Sequence, residues 1–468
     1  MSRINTNISS LEAITRLGKN QSDLATRLQR LSTGLKINTG KDAPAGLIAS
    51  ETLRSEINGI NQAIDNSTRA GNVINTAEGA LSEVSSLLLE MQSLTNEAAN
   101  TGALSADEIK ANQLQVDAIL NSINRIANTT QFGGVKLLNG TLDYTTSGVA
   151  STAIDVATIN AAKLPDHGST TITVEVTGSA QLGEVDFTGA NVGASAVTIE
   201  VGGVAGNEQL SFAANTATSA VAFAVNQLKE STGVIAIVSG GSLRFTSTAY
   251  GSDQFVSVKT INGSFTNGKD YGADAQVNIN GSKADVKGLV ASVRTGDLDV
   301  SLTLDKTFGT TVDPAGTSFQ IVGGGAKFQI GSQVERQGQM NIGITSMSTN
   351  TLGDEIVGKL SSIGSGGDNS LVSGNTIQAQ KILDTAIRQV ATLRGRLGAL
   401  QKDVLDTNVN SLQIALENVT SSESAIRDAD FASETAALTR AQILVQANTS
   451  VLAQANAAPQ NVLALLRS

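Results

Sequence analysis

The sequence predicts an α+β multidomain chain: a discontinuous long-helix coiled-coil rod built from both termini, with a mainly-β outer region inserted between them. Three observations carry this. Apolar residues recur at helical and sevenfold spacing in the first 140 and the last 90 or so residues, they alternate at period two in the middle, and 12 of the 14 Phe and Tyr residues fall between 141 and 349. Only Phe132 and Phe431 lie outside that window, so the middle differs physically from the ends.

The first element starts at Ile4, Ile8, Leu11 and Ile14 and continues through Leu24, Leu28, Leu31 and Leu35, a spacing of threes and fours that defines a helix face. The stretch LSTGLKINTGKDAPAG breaks it with Gly34, Gly40 and Pro44. Asp42 is expected to cap the next helix, with Pro44 in its first turn. From there Leu53, Ile60, Ser67, Ile74, Leu81 and Leu88 follow a sevenfold period, and Ile57 and Ile64 fill the alternate seam. A helix from about 44 to 99 would be roughly 80 Å long at ~1.5 Å per residue, too long for a compact ball. Ser105 and Glu108 form a capping box ahead of an antiparallel helix carrying Ile109, Val116, Ile119, Ile123 and Ile126.

In the middle, LDVSLTLD and TITVEV alternate strictly, which predicts half-buried strands. Asn262-Gly263, Asn267-Gly268 and Asn280-Gly281 read as hairpin turns. SAVAFAVNQLKE (219–230) is helical in pattern and sits between strand-like runs, so a small ββαββ module is expected near 197–258. Beyond it, Leu383, Val390, Leu397 and Val404 are seven apart, and Leu405, Leu412, Val419 and Ile426 resume the period one position later. A last helix is expected after Asp430, with Pro459 permitting a kink or a restart.

The organisation that follows has three parts. Residues 1–40 with 430–468 form a terminal coiled-coil domain, 41–140 with 350–429 a helical rod, and 141–349 an outer β region.

Composition excludes several functions. With 32 basic against 42 acidic residues there is no electrostatic footprint for nucleic acid. The absence of cysteine removes disulfides, thiolate metal sites and cysteine nucleophiles. No apolar run reaches the ~18–20 residues that span a bilayer, so no membrane insertion is expected. MSRINTNISS has one Arg and no apolar stretch, which is not a signal-peptide pattern. The single histidine, His167, makes HExxH impossible, and no GxSxG stands near it. GLKINTGKD has five residues between Gly34 and Gly40 where a phosphate loop has four, and Asp42 replaces the magnesium-holding hydroxyl. Glycine-rich FQIVGGGAKFQIG (319–331) lies between strands and reads as a bulge or hairpin. No DxDxDG calcium pattern occurs. The expectation is no enzyme, no cofactor and no metal.

What remains is surface. The terminal helices carry more apolar residues than one stripe accommodates. Leu444, Val445, Val451, Leu452, Val462, Leu463, Leu465 and Leu466 must be covered by other chains or by lipid. Residues 441–466 hold no charge, which disfavours a membrane-surface helix and favours self-association.

Long motifs at both ends identify a family. LEAITRLGKNQSDLATRLQRLSTGLKINTGKDAPAGL, GNVINTAEGALSEV and TTQFGGVKLLNG, then SLQIALENVTSSESAIRDADFASETAALTRAQILVQANTSVLAQANAAPQNVLALL, resemble bacterial flagellin, the flagellar filament subunit. The resemblance covers roughly 1–140 and 375–468, and the 197–258 segment resembles a module inserted in flagellins and hook-associated proteins. It implies a secreted homopolymer used for swimming, with an inner tube of terminal segments, an outer tube, and a projecting outer region. Ile4, Ile8, Leu11, Leu24, Leu28, Leu31, Phe431, Leu444, Val451, Leu452, Val462, Leu463 and Leu466 would then be self-assembly residues. Implied partners are the flagellar export apparatus, an export chaperone, the filament cap and hook-associated proteins. A hook–filament junction protein is the alternative, and the RDADFASETAALTRAQILVQA run favours flagellin. In animals a toll-like receptor recognises flagellins through a helix matching LEMQSLTN (89–96) that carries a basic residue. Here Glu90 stands at that position, between Leu89 and the retained Leu94, which implies weak recognition.

Overall fold

The computed structural model describes the backbone of residues 6–165 and 168–467, and side chains as far as 458. Ile4 and His167 lie outside the described residues, as do the side chains of Val462, Leu463 and Leu466. The chain forms two compact units. One comprises Met1–Arg69, Gln329–Gly338 and Val404–Ser468; the other comprises Ala70–Phe328 and Gln339–Asp403. The helices are α1 (Ile8–Thr33), α2 (Pro44–Ala98), α3 (Ala106–Thr129), α4 (Thr218–Gln227), α5 (Thr376–Ala399), α6 (Thr407–Arg427) and α7 (Phe431–Arg467), with shorter turns between them.

In the first unit, α1 starts where the Asn7 side chain accepts from the Ser10 N–H. It stops at Gly34, whose φ of 72° suits glycine. Helix α7 runs antiparallel to it. Asn7 donates to the Ala455 carbonyl (2.7 Å) at one end, and Arg27 and Arg30 meet Glu434 at the other. Helix α7 begins where the Asp430 carboxylate accepts from the Ala432 and Ser433 N–H groups, and it passes through Pro459 without a second start. Asp42 does not cap α2. Its carboxylate turns back to accept from the Asn38 and Thr39 N–H groups and the Thr39 hydroxyl, so it closes the preceding loop. Ser67, the polar member of the sevenfold series, is buried because its hydroxyl donates to the Ala63 carbonyl and accepts from Asn408.

The one-residue slip between Val404 and Leu405 has a structural counterpart. Leu400–Asp406 is π-helical. A π turn accommodates one extra residue, which matches the one-residue slip in the sequence.

In the second unit, the later half of α2 presents Ala70, Ile74, Ala77, Leu81, Val84, Leu88 and Met91, all fully buried. The predicted capping box at Ser105 and Glu108 starts α3. Helix α5 buries Ile382, Leu383, Ala386, Val390 and Leu397. Gln92 to Asp384 (2.9 Å) and Arg394 to Glu78 (2.7 Å) tie α5 to α2 along the exposed margin.

The same unit holds two β bodies. In the first, a five-stranded sheet (Ser282–Lys283, Gln276–Ile279, Thr170–Gly178, Asp313–Gly324, Tyr144–Ser147) and a four-stranded sheet (Asp285–Lys287, Val290–Arg294, Leu298–Leu304, Ile154–Ala162) share a core. Ile172, Val174 and Val176 of one and Val300, Leu302 and Leu304 of the other lie within it, as alternation requires. The second body pairs Val197–Gly202 with Asn207–Phe212 in one sheet and Val234–Ser239 with Ser242–Ser247 in another, with α4 between in sequence. Glu184–Thr188, Phe255–Asn262 and Gly268–Tyr271 complete it.

Two of the three Asn-Gly pairs turn the chain. Asn280 and Gly281 have φ of 51° and 74°, and Gly263 has 85°. Asn267-Gly268 does not: Gly268 opens a strand and the Asn267 side chain accepts from the Thr260 N–H. At Gly324, φ is 90° and a Cβ would lie 2.0 Å from the Asp143 carbonyl, so close backbone approach explains the glycine run there.

Candidate self-assembly surface

The first unit is thinly cored. Its buried apolar residues, among those described, are Ala13, Ile37, Ile60, Ala63, Ile330, Leu405 and Ala441. Three of these are alanines, and α6 has no buried residue at all. A body of this length normally encloses a continuous cluster of large side chains.

Its large apolar residues instead face outward. Ile8, Leu11, Ile14 and Leu28 of α1 are 50–68% exposed. Phe431, Ile443, Leu444 and Val451 of α7 are 43–65% exposed. Leu24, Leu31 and Leu452 are half-buried. Geometry accounts for the division. Two antiparallel helices cover one stripe of each other, where Ala13 and Ala441 lie, and leave the rest of each helix bare. Full burial of a large aliphatic side chain contributes about 1.5–3 kcal/mol, so eight half-exposed ones hold on the order of 10 kcal/mol of unrealised stabilisation.

The polar clamp on this pair was not legible in the sequence. Glu434 is buried, with Arg27 Nη1 at 3.0 Å and Arg30 Nη1 at 3.2 Å from its two oxygens. Burial pushes its carboxyl up, but the hydrogen bonds from Arg27 and Arg30 outweigh this and hold it below the ordinary glutamate value. The available signal was the spacing of Arg27 and Arg30, three apart and so on one helix face, with an acidic residue in the first turn of α7.

In the segment matching LEMQSLTN, Leu89 and Glu90 are exposed. Leu94 is only 8% exposed, so it is a packing residue of α2 and not part of an open surface. Among the described residues no cluster of His, Asp and Glu has metal-binding geometry. No described helix is long and apolar enough to cross a membrane.

Comparison with known proteins gives the same two regions. The model of the bacterial flagellin N-terminal helical region matches residues 4–143, and that of the bacterial flagellin C-terminal helical region matches 380–466. The B-type flagellin of Pseudomonas aeruginosa strain PAO1 is 32% identical over 517 residues, spanning 99% of each chain. A flagellin of Salmonella choleraesuis strain SC-B67 is 29% identical over 512 residues, again spanning 99% of each. A solved structure of FliC from Burkholderia pseudomallei covers 71% of this chain and 98% of its own at 15% identity, with a TM-score of 0.24.

Proposed function

The chain belongs to the bacterial flagellin family and is a structural subunit of the flagellar filament, and on that premise we propose that its terminal helices carry the subunit contacts. Residues 1–40 with 430–468 form the inner tube, 41–140 with 350–429 the outer tube, and 141–349 the outward-facing region. The contact residues are Ile4, Ile8, Leu11, Leu24, Leu28 and Leu31 with Phe431, Leu444, Val451, Leu452, Val462, Leu463 and Leu466. The observation that carries this reading is the combination of a thin core with eight outward-facing large apolar residues on α1 and α7. Neighbouring copies supply the missing core, as for a segment that completes its folding on binding.

The filament is extracellular, and the subunit reaches it through the flagellar export apparatus with a chaperone on its C-terminal helix. The cap and hook-associated proteins adjoin it at the filament ends. It is not an enzyme.

Electron microscopy after adding ammonium sulfate or short filament seeds tests the central claim, since sulfate strengthens apolar burial. The intact chain gives long uniform tubes, and a chain lacking residues 432–468 gives none. Failure of the intact chain to grow on seeds would favour a hook–filament junction protein instead.

A weak response from the animal toll-like flagellin receptor follows from exposed Glu90 beside exposed Leu89. Reversing a charge at an interface costs several kcal/mol. In a reporter-cell assay the native chain gives low potency and Glu90→Arg raises it. Full potency of the native chain at ordinary flagellin doses would remove this reading.

A further inference from the structure

Five asparagines are followed by glycine: Asn58, Asn139, Asn262, Asn267 and Asn280. A glycine nitrogen has no neighbouring Cβ to shield it, so it can attack the side-chain carbonyl of the asparagine before it. Two of the pairs sit in the same tetrapeptide, Ile-Asn-Gly-Ser, at 261–264 and 279–282, so local sequence does not tell them apart. The structure does.

Asn280 is pinned. Its Oδ1 accepts from the Thr173 N–H (2.9 Å) and the Thr173 hydroxyl (3.3 Å), and its own N–H donates to the Thr173 carbonyl (3.0 Å). Ile279 and Ser282 are paired across the turn and close it. Three of the others are held as well. Asn58 lies inside helix α2, where the following N–H is bonded along the helix. Asn139 Oδ1 accepts from the Thr141 N–H (3.1 Å) and hydroxyl (2.8 Å), and Asn267 Oδ1 accepts from the Thr260 N–H (2.5 Å).

Asn262 differs. It is exposed, at the end of the strand Phe255–Asn262, and its Oδ1 accepts from the N–H of Gly263 (2.9 Å), the nitrogen that would attack. Among the described residues its side chain makes no other hydrogen bond. The amide is therefore free to turn about Cβ–Cγ and present its carbonyl carbon face-on to that nitrogen, a near-attack arrangement. Only glycine fits at 263, because φ is 85° and a Cβ would lie 2.6 Å from the Ala196 carbonyl oxygen. The fold itself thus keeps an unshielded nitrogen beside Asn262.

We propose that Asn262 is a site of hydrolytic deamidation, selected among the five by the fold. The Gly263 nitrogen gives its proton to solvent base and bonds to Asn262 Cγ. The Cγ–Nδ2 bond breaks, Nδ2 leaves as ammonia, and a cyclic succinimide remains. Water adds to either of its carbonyls and opens the ring to aspartate or to isoaspartate. Water and solvent base are the only other reactants. The product carries a new negative charge, and the isoaspartyl form one extra backbone carbon, at a point where the ladder with Val197–Gly202 already shifts register. The second β body therefore keeps its fold, and the converted fraction records the time the chain has spent in water.

The test incubates the full chain, unpolymerised in low salt at mildly alkaline pH. All five sites are followed by peptide mapping with mass spectrometry, and isoaspartate is scored by enzymatic methylation. Asn262 converts roughly tenfold faster than Asn280, as expected when hydrogen bonds to other residues hold one amide and not the other. In urea the two convert at equal rates, because their tetrapeptides are identical. Conversion of Asn280, or of any of the other three, as fast as Asn262 in the folded chain would overturn the proposal. So would an Asn262 that stays intact while the unfolded chain converts. A preference for Asn262 that survives in urea would also overturn it, since sequence and not fold would then choose the site.

Discussion

Replacing Leu11, Leu28 and Val451 together by serine abolishes seeded filament growth at concentrations where the parent grows freely, yet leaves the isolated subunit folded. The reason is where these side chains stand. They are 68%, 50% and 55% exposed in the single chain, so removing their apolar atoms takes little from it, within the ~0.5 kcal/mol usual for surface changes. In the filament each would be covered. At about 1.5–3 kcal/mol per fully buried side chain, and with roughly half of each still to be covered, the triple change removes on the order of 4 kcal/mol from each subunit addition. That raises the critical concentration roughly a thousandfold. Sedimentation of polymer from monomer, with circular dichroism melting of the unpolymerised chain beside it, reads both halves. An unchanged critical concentration would show that this stripe is not the contact surface.

Glu434→Ala unfastens the pairing of α1 with α7. The substitution leaves Arg27 and Arg30 facing each other across a vacated site, and the Arg30 Nε is already buried without a partner. Breaking a buried pair by removing one member costs about 3–5 kcal/mol, and Arg27, 27% exposed and also bonded to Asp23 (3.2 Å), brings the expected loss nearer 2–3 kcal/mol. In a unit with so few buried large side chains that is a substantial share of what holds the two helices. Hydrogen exchange of peptides from 8–33 and 431–458 measures it: both lose protection in the variant, while peptides from α3 and α5 do not. Protection unchanged in α1 would mean that the clamp is dispensable.

The same residue gives the pair a pH dependence. The Glu434 carboxyl is held below its ordinary value of 4.5 in the folded chain. Its contribution is therefore complete above that ordinary value and is lost as the pH falls through the depressed folded one. Protection of α1 should therefore decline in the parent as the pH falls below the ordinary value of 4.5. Glu434→Gln, which has no charge to lose, should be less protected at neutral pH and nearly flat across the same range.

Much of this fold was legible from neighbours a turn or two apart. The capping box at Ser105 and Glu108, the Asp430 start of α7, the alternation of Leu298, Val300, Leu302 and Leu304, and the slip from Val404 to Leu405 are all local patterns. Each corresponds to a local structure: a cap, a helix start, a half-buried strand, a π turn. The misreadings are also instructive. Asp42 has the right residue type to cap α2, but the loop's own N–H groups at Asn38 and Thr39 claim its carboxylate. Asn267-Gly268 has hairpin composition, but the Asn267 side chain is engaged by Thr260. Leu94 keeps the family residue, yet helix packing turns it inward.

By itself the sequence determined the α+β class, the helical ends, the stranded middle and the surplus of apolar residues on the terminal helices. These depend on periodicity and capping, which act over one or two turns of chain and are complete before any distant segment arrives. Only the tertiary structure decided which of those apolar residues stay uncovered and which polar groups hold the helices together. Glu434 meets Arg27 across 407 positions, and the Asn226 side chain in helix α4 bonds the Ala236 backbone in the strand Val234–Ser239. Such pairings depend on where packing brings two surfaces together, and a lone Glu or Asn carries no local mark of the partner it will find.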